Sequence, residues 1–238
     1  MKKGFTLAEV LITLVILGVV AAMTIPVVTG TTRDAEYKSK AKKVFSVLTQ
    51  AMAFASLQGY PPVHTTKDME TENIIEWFDK YLEPNLTLIK KCTDSSPLPQ
   101  GYESVGGCWA GQTMGLNGKV PYCSYKKSFG AGVVQGVLND GTFINIDSYG
   151  SDSMAKYFGQ DISTSGIVVF FDVNGSKKPN VLGRDIYVAV FQDGTLVPAY
   201  VSRSIEEAQA ECSKKNSGHD NQGNGYACLK VVMEEALQ

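Results

Sequence analysis

Twenty-one residues near the start of the chain, Phe5 to Ile25, carry one ionisable side chain, Glu9, and run up to Pro26. No other stretch restricts the fold so strongly. At about 1.5 Å rise per residue, a helix of this length spans roughly 31 Å, close to the ~30 Å hydrocarbon core of a bilayer. A cleavable secretory signal has a shorter apolar core, about 7–15 residues, followed by a small-residue cleavage site. The run therefore predicts a membrane-spanning helix over 5–26, which Pro26 ends or kinks. Glu9 is the anomaly, because a carboxylate in a spanning helix costs about 2.5–3.5 kcal/mol on insertion scales. Either it snorkels to the interface, or it pairs with a positive charge supplied by another chain.

The stretch "KKGFTLAEVLITLVILGVVAAMTIP" resembles the N-terminal segment of type IV pilins and type II secretion pseudopilins. The resemblance rests on a short basic leader ending in Gly4, on Phe5 directly after it, on Glu9 four residues further, and on Pro26 near the end of the span. It implies cleavage between Gly4 and Phe5 by the prepilin peptidase, an inner-membrane aspartyl protease, and N-methylation of the new Phe5 amine. Residues 1–4 are then a leader and the apolar run is retained. It further implies that Glu9 neutralises the Phe5 ammonium of a neighbouring subunit, which would set the register of adjacent helices. The same resemblance places the N-terminus in the cytoplasm. Lys2 and Lys3 agree with that, but Arg33, Lys38, Lys40, Lys42 and Lys43 lie just past the span. A plain count of positive charges would not give this orientation.

Beyond Pro26 helical spacing resumes. Tyr37, Ala41, Val44, Leu48, Ala51 and Ala55 recur at steps of four and three, on one face. The pattern stops at Gly59, Pro61 and Pro62. The expected organisation is a leader over 1–4, an N-terminal helix over 5–59 whose second half (27–59) packs on the body, and a globular domain over 60–238. "METENIIEWFDKYLEP" predicts a shorter helix closed by Pro84, and residues 92–130, rich in Gly, Pro, Ser and Cys, predict an irregular loop. Asp140-Gly141 and Asp193-Gly194 sit between alternating apolar runs and predict two hairpins. With "SGIVVFFDVNG" they give about four or five antiparallel strands. Ser204 and Glu207 form a capping box, and "YACLKVVMEEALQ" predicts a closing helix. The fold class is α+β, a long N-terminal transmembrane helix packed on an antiparallel sheet, which is also the pilin architecture the resemblance implies.

Composition removes several function classes. A net charge of −2 gives no bulk attraction to nucleic acid. His64 and His219 are the two histidines, each in a loop without partners at metal or general-base spacing, and no G-x-S-x-G, P-loop or H-E-x-x-H motif occurs. No enzyme is expected. Asp172 and Asn174 in D-x-N-G place two oxygen side chains on one side of a tight turn, and Asp185 could close on them. Calcium takes six to eight oxygens, and the EF-hand pattern is not met here; the alternative is a turn in which Asp172 caps backbone amides. That some major pseudopilins hold calcium in this part of the fold is what the resemblance adds. No other cofactor is expected.

None of the five cysteines lies in a C-x-x-C pair, so zinc and dithiol chemistry are disfavoured, and wide spacing in an exported chain reads as disulfides. Cys212 and Cys228 bracket a Gly/Asn-rich loop of about 15 residues, where a disulfide would contribute roughly 3 kcal/mol in the chain-entropy model. Many pilins staple a C-terminal loop this way, and "FDVNGSKKPNVLGRDIYVAVFQDG" with the closing Gly-Tyr-x-Cys also resembles that part of pilin-like proteins. Cys108–Cys123 is the next expected pair, with Cys92–Cys108 its rival. The resemblance as a whole implies a structural subunit of a type IV pilus or type II secretion pseudopilus, or alternatively a minor pilin at the tip acting in adhesion or DNA uptake. Its partners would be the prepilin peptidase, other pilin or pseudopilin subunits, an inner-membrane assembly platform and the lipid bilayer.

Overall fold

The computed structural model describes residues 7–58, 71–93, 108–109, 111–125, 128–130, 133–163, 165–192 and 194–235, with the backbone alone for 23–31, 71–73 and 128. Gly4, Phe5, His64 and Asp193 lie outside these residues. The chain divides into two compact units, Met1–Glu36 and Tyr37–Gln238. Helix α1 runs over Leu7–Leu57. Of the end or kink expected at Pro26, the end is a correction: residue 26 lies inside α1. A proline removes one i→i−4 hydrogen bond at a cost of about 3 kcal/mol, yet the helix continues on both sides of it.

The second unit is built on one antiparallel sheet in the order β1-β4-β5-β6-β7-β8. The strands are β1 (Leu88–Thr93), β2 (Ser124–Tyr125), β3 (Ser128–Phe129), β4 (Val134–Leu138), β5 (Phe143–Tyr149), β6 (Gly166–Asp172), β7 (Ile186–Gln192) and β8 (Thr195–Pro198). β2 and β3 form a separate two-stranded ribbon. Strands β6 and β7 read as continuous apolar runs because both faces of the sheet are covered. Val169, Phe171, Tyr187 and Ala189 face the C-terminal part of α1 and helix α2 (Thr71–Trp77), while Val168, Phe170, Val188 and Val190 face the other way. The helical stripe read from the sequence is the buried one: Tyr37, Ala41, Val44, Leu48, Ala51 and Ala55 are all buried.

The opposite face is covered by α3 (Ser151–Phe158), through Met154, Tyr157 and Phe158, and by α4 (Ile205–Glu211), through Ala208. Helix α5 (Cys228–Glu234) packs Leu229 and Val232 against the α1 side. The capping box at Ser204 is formed, with the Glu207 amide donating to Ser204 Oγ and Glu207 Oε2 accepting from the Ser204 amide. The helix expected to close at Pro84 is instead α2 followed by a π turn over Phe78–Leu82 and a tight turn over Glu83–Asn85. Lys91 reaches Asp79 at 2.5 Å and Glu83 at 2.6 Å across that turn. β1 was not legible. Only Cys92 of its six residues is buried, so no alternation of apolar and polar residues marks the strand.

The cysteines need one correction. Cys212 is bonded to Cys228, but Cys108 is bonded to Cys92 and not to Cys123. Cys92, Cys108 and Val137 share one small apolar cluster beside β1, whereas Cys123 packs in the separate, larger cluster around Phe129 and Tyr149. Burial pushes the Cys123 thiol up to about 11, against the lowering effect of its bond to Tyr122. The thiolate is the reactive species, so Cys123 is expected to label with alkylating reagents only on unfolding. Non-reducing peptide mapping of exported protein should give Cys92–Cys108 and Cys212–Cys228 linked peptides. A Cys108–Cys123 peptide would overturn the pairing.

Candidate functional site

The candidate site at the head of the chain is a helix with no polar face. Ten large apolar side chains between Leu7 and Val20 are exposed, from Val10 at 46% to Leu7 at 79%. Gly18 has nothing within 4 Å of where a Cβ would stand. Burying ten such side chains is worth on the order of 15–30 kcal/mol as an upper bound. That outweighs the roughly 2.5–3.5 kcal/mol cost of Glu9 in an apolar medium, so the carboxylate does not prevent burial. Thr13 Oγ1 donates to the carbonyls of Glu9 at 3.0 Å and Val10 at 2.9 Å, which hides its hydroxyl within the helix. Among the described residues no helix is long and apolar enough to cross a membrane. The described side chains of the apolar run cover residues 7–22, which is about 24 Å of helix.

The second feature is the stapled C-terminal loop. Glu211 ends α4 and is buried. Its Oε1 accepts from the amides of Gly225 (2.7 Å) and Tyr226 (3.2 Å), and its Oε2 from that of Ala227 (2.8 Å). Burial raises its pKa, and the three amides pull the other way. Asn224 Nδ2 donates to the Glu211 carbonyl at 2.6 Å, while Asn224 Oδ1 accepts from the Asn117 amide at 2.9 Å. The Cys212–Cys228 disulfide lies directly beside this clamp. At the loop's tip Asp220 and Asn221 both take left-handed φ, +50° and +62°. Asp220 is held by Lys156 and by Tyr157 Oη at 3.0 Å, and His219 Nε2 lies 3.0 Å from Tyr200 Oη. Burial first, and the Lys156 charge second, lower the His219 pKa. Sequence reasoning missed Glu211. A glutamate one residue before a stapled cysteine carries no signal of its own burial.

The third feature is the connection between β6 and β7. Asp172, Asn174 and Asp185 do come together. Asp172 Oδ1 accepts from the amides of Asn174 and Gly175, both at 3.0 Å. Asp185 accepts from the amides of Val181 (2.7 Å) and Asn180 (2.9 Å) and from Asn174 Nδ2 (2.9 Å). Asn174 Nδ2 also reaches Tyr37 Oη on α1 at 3.3 Å. Both carboxylates are fully buried. Burial first, and the Asp185 charge second, push Asp172 up to about 8. Asp172 Oδ2, Asn174 Oδ1 and Asn180 Oδ1 are buried with no hydrogen-bond partner. Among the described residues no three His, Cys, Asp or Glu side chains are grouped to hold a metal ion. This cluster is two carboxylates with amide oxygens, a donor set that fits a hard cation. Asn180 was not foreseen, although its place beside Pro179 and its left-handed φ of +54° mark a turn.

An N-terminal helix and a six-stranded antiparallel sheet make a mixed α+β fold of pilin-like type. Residues 1–25 match the model of the prokaryotic N-terminal methylation motif. The chain carries the prepilin-type signal of type IV pilins and pseudopilins, the signal that a prepilin peptidase processes. No curated protein and no solved structure matches the chain.

Proposed function

We propose that this protein is a structural subunit of a type IV pilus or type II secretion pseudopilus. In this reading it is held in the inner membrane by a single pass with its N-terminus in the cytoplasm. It is then built through α1 into a periplasmic pseudopilus or an extracellular pilus. The observation that carries the proposal is the helix of ten exposed apolar side chains headed by Glu9. Such a helix needs an apolar medium, first lipid and then the matching helices of other subunits. Asp172, Asn174 and Asp185 are the residues that would hold calcium, which would supply positive charge between the two carboxylates.

Processing tests the reading. Mass spectrometry of assembled protein should show loss of Met1–Gly4 and the added mass of one methyl group on Phe5. An intact Met1 in assembled material would sink it. The second reading, a minor pilin at the tip acting in adhesion or DNA uptake, draws on the rigid loop around Asp220 and Asn221 with Lys214 and Lys215 exposed beside it. Copy number separates the two. Immunogold labelling along the whole filament supports the first reading, and labelling confined to the tip supports the second.

A further inference from the structure

Asn145, Asp147 and Tyr149 alternate along β5 and so share one face of the sheet, the face turned away from α1. The β2–β3 ribbon lies over them. Asn145 brackets Phe129: its Oδ1 accepts from the Phe129 amide at 3.1 Å, and its Nδ2 donates to the Phe129 carbonyl at 2.7 Å. The Phe129 ring stacks on Phe170 of β6, with centroids 4.0 Å apart. Gly130 follows with φ +84°, and a Cβ there would collide with Asp147 Oδ2, so glycine lets the ribbon backbone close directly over the carboxyl. Asp147 is 1% exposed. Its Oδ1 accepts from the Ser148 amide at 2.8 Å, but its Oδ2 has no hydrogen-bond partner, and neither has the buried hydroxyl of Tyr149. Buried polar atoms are rarely left in that state.

A carboxylate buried in this way needs a positive partner or several donors. Among the described residues no cation stands beside it. The titratable groups around it are Tyr122 and Cys123, just before β2, and Tyr149 on β5, and all three are acids. Its neighbour on β6 is Val168. Burial holds the Asp147 pKa well above the ordinary carboxylate value, with the Ser148 amide pulling the other way. We infer that Asp147 is a proton-operated latch: its neutral carboxyl seats the β2–β3 ribbon on β5, and loss of the proton to water releases the ribbon while the six-stranded sheet stays folded. The ribbon is the part that yields. It has two residue pairs, Ser124–Phe129 and Tyr125–Ser128, and a two-stranded ribbon is marginal by itself. β5 is held by β4 on one side and by β6 on the other. Once Gly130 lifts away, water reaches Oδ2. The seated form binds the proton more tightly than the released form. Seating is therefore fully present below about pH 3.9, the ordinary Asp value, and is lost as the pH rises toward the raised value of the seated state. Release uncovers Phe129 and the Trp109 ring packed edge-on against it, so high pH exposes an aromatic surface that low pH hides.

The test is hydrogen exchange of the full chain in detergent, corrected for the intrinsic pH dependence of exchange. It is read at the Phe129 and Gly130 amides, which donate to Asn145 Oδ1 and to the Cys123 carbonyl. With one proton lost on release, protection at both amides should fall about tenfold per pH unit between about pH 5 and pH 8. The amides of Val169 and Phe171 on β6 should keep their protection over the same range. Asp147→Asn keeps the shape without the charge and should abolish the slope at Phe129 and Gly130. Asp147→Ala should abolish it too, so the result does not hang on how an amide is accommodated under Gly130. A flat profile in the wild-type chain would overturn the latch, because the carboxylate would then be ionised, and solvated by water, with the ribbon seated. An unchanged slope in Asp147→Asn or Asp147→Ala would assign the proton to another group and also overturn it. A slope shared equally by the β6 amides would mean global unfolding and remove the ribbon as a separate moving part.

Discussion

Glu211→Ala should destabilise the globular unit by about 3–5 kcal/mol, because it strands three buried amides that each cost roughly 1–3 kcal/mol when unsatisfied. For a body of this size that is about 10 °C or more in thermal midpoint. The amides belong to Gly225, Tyr226 and Ala227, directly before α5. They cannot turn to solvent, because Tyr226 and Ala227 are buried and a Cβ at Gly225 would stand 2.3 Å from the Leu182 carbonyl oxygen. Glu211→Gln should be intermediate, since one acceptor oxygen remains while an NH₂ group is turned toward donors. The measurement is thermal unfolding of both variants, oxidised and reduced. Reduction opens both Cys92–Cys108 and Cys212–Cys228 and should add a separate loss, roughly 3 kcal/mol for each in the chain-entropy model. An unchanged midpoint in Glu211→Ala would mean that water replaces the carboxylate and that the disulfide alone anchors the loop.

The parts of the fold that could be read from sequence are those with a local cause. The α1 stripe from Tyr37 to Ala55 declares itself by its spacing, and the hairpin at Asp140-Gly141 by its turn residues; Gly141 takes φ +85° there. β1 and α3 could not be read, for different reasons. β1 is an edge strand in which only Cys92 is buried, and α3 has eight residues, too few for a period to show. The cysteine pairing illustrates the limit best. Cys123 is as near to Cys108 in sequence as Cys92 is, and only the fold decides which apolar cluster each thiol joins. The cluster at Asp172, Asn174 and Asp185 was half legible. The D-x-N-G turn is local, while the Asp185 partners and Asn180 depend on how the rest of the connection folds back. Glu211 was invisible because its burial comes from residues 14 to 16 positions further along.

Glu9→Ala should leave the subunit in the membrane and its leader cleaved, yet block or slow assembly. Insertion should improve slightly, since a carboxylate costing about 2.5–3.5 kcal/mol is gone. Cleavage should survive because it acts on the Gly4–Phe5 bond. Assembly is different in kind. Burying the apolar side chains from Leu7 to Val20 drives helices together, but dispersion and area alone do not choose an axial register. A carboxylate that must meet an ammonium does choose one, because any other register leaves both charges unpaired in an apolar surrounding. Removing one member of such a pair costs about 3–5 kcal/mol, and at 1.4 kcal/mol per decade subunit addition shifts by more than a hundredfold. Glu9→Asp keeps the charge with a shorter reach and should fall between. The measurement is filament yield of each variant against subunit level in the membrane fraction. Normal filaments from Glu9→Ala would show that the helices find their register from apolar packing alone, with Glu9 reaching the interface as a tolerated charge.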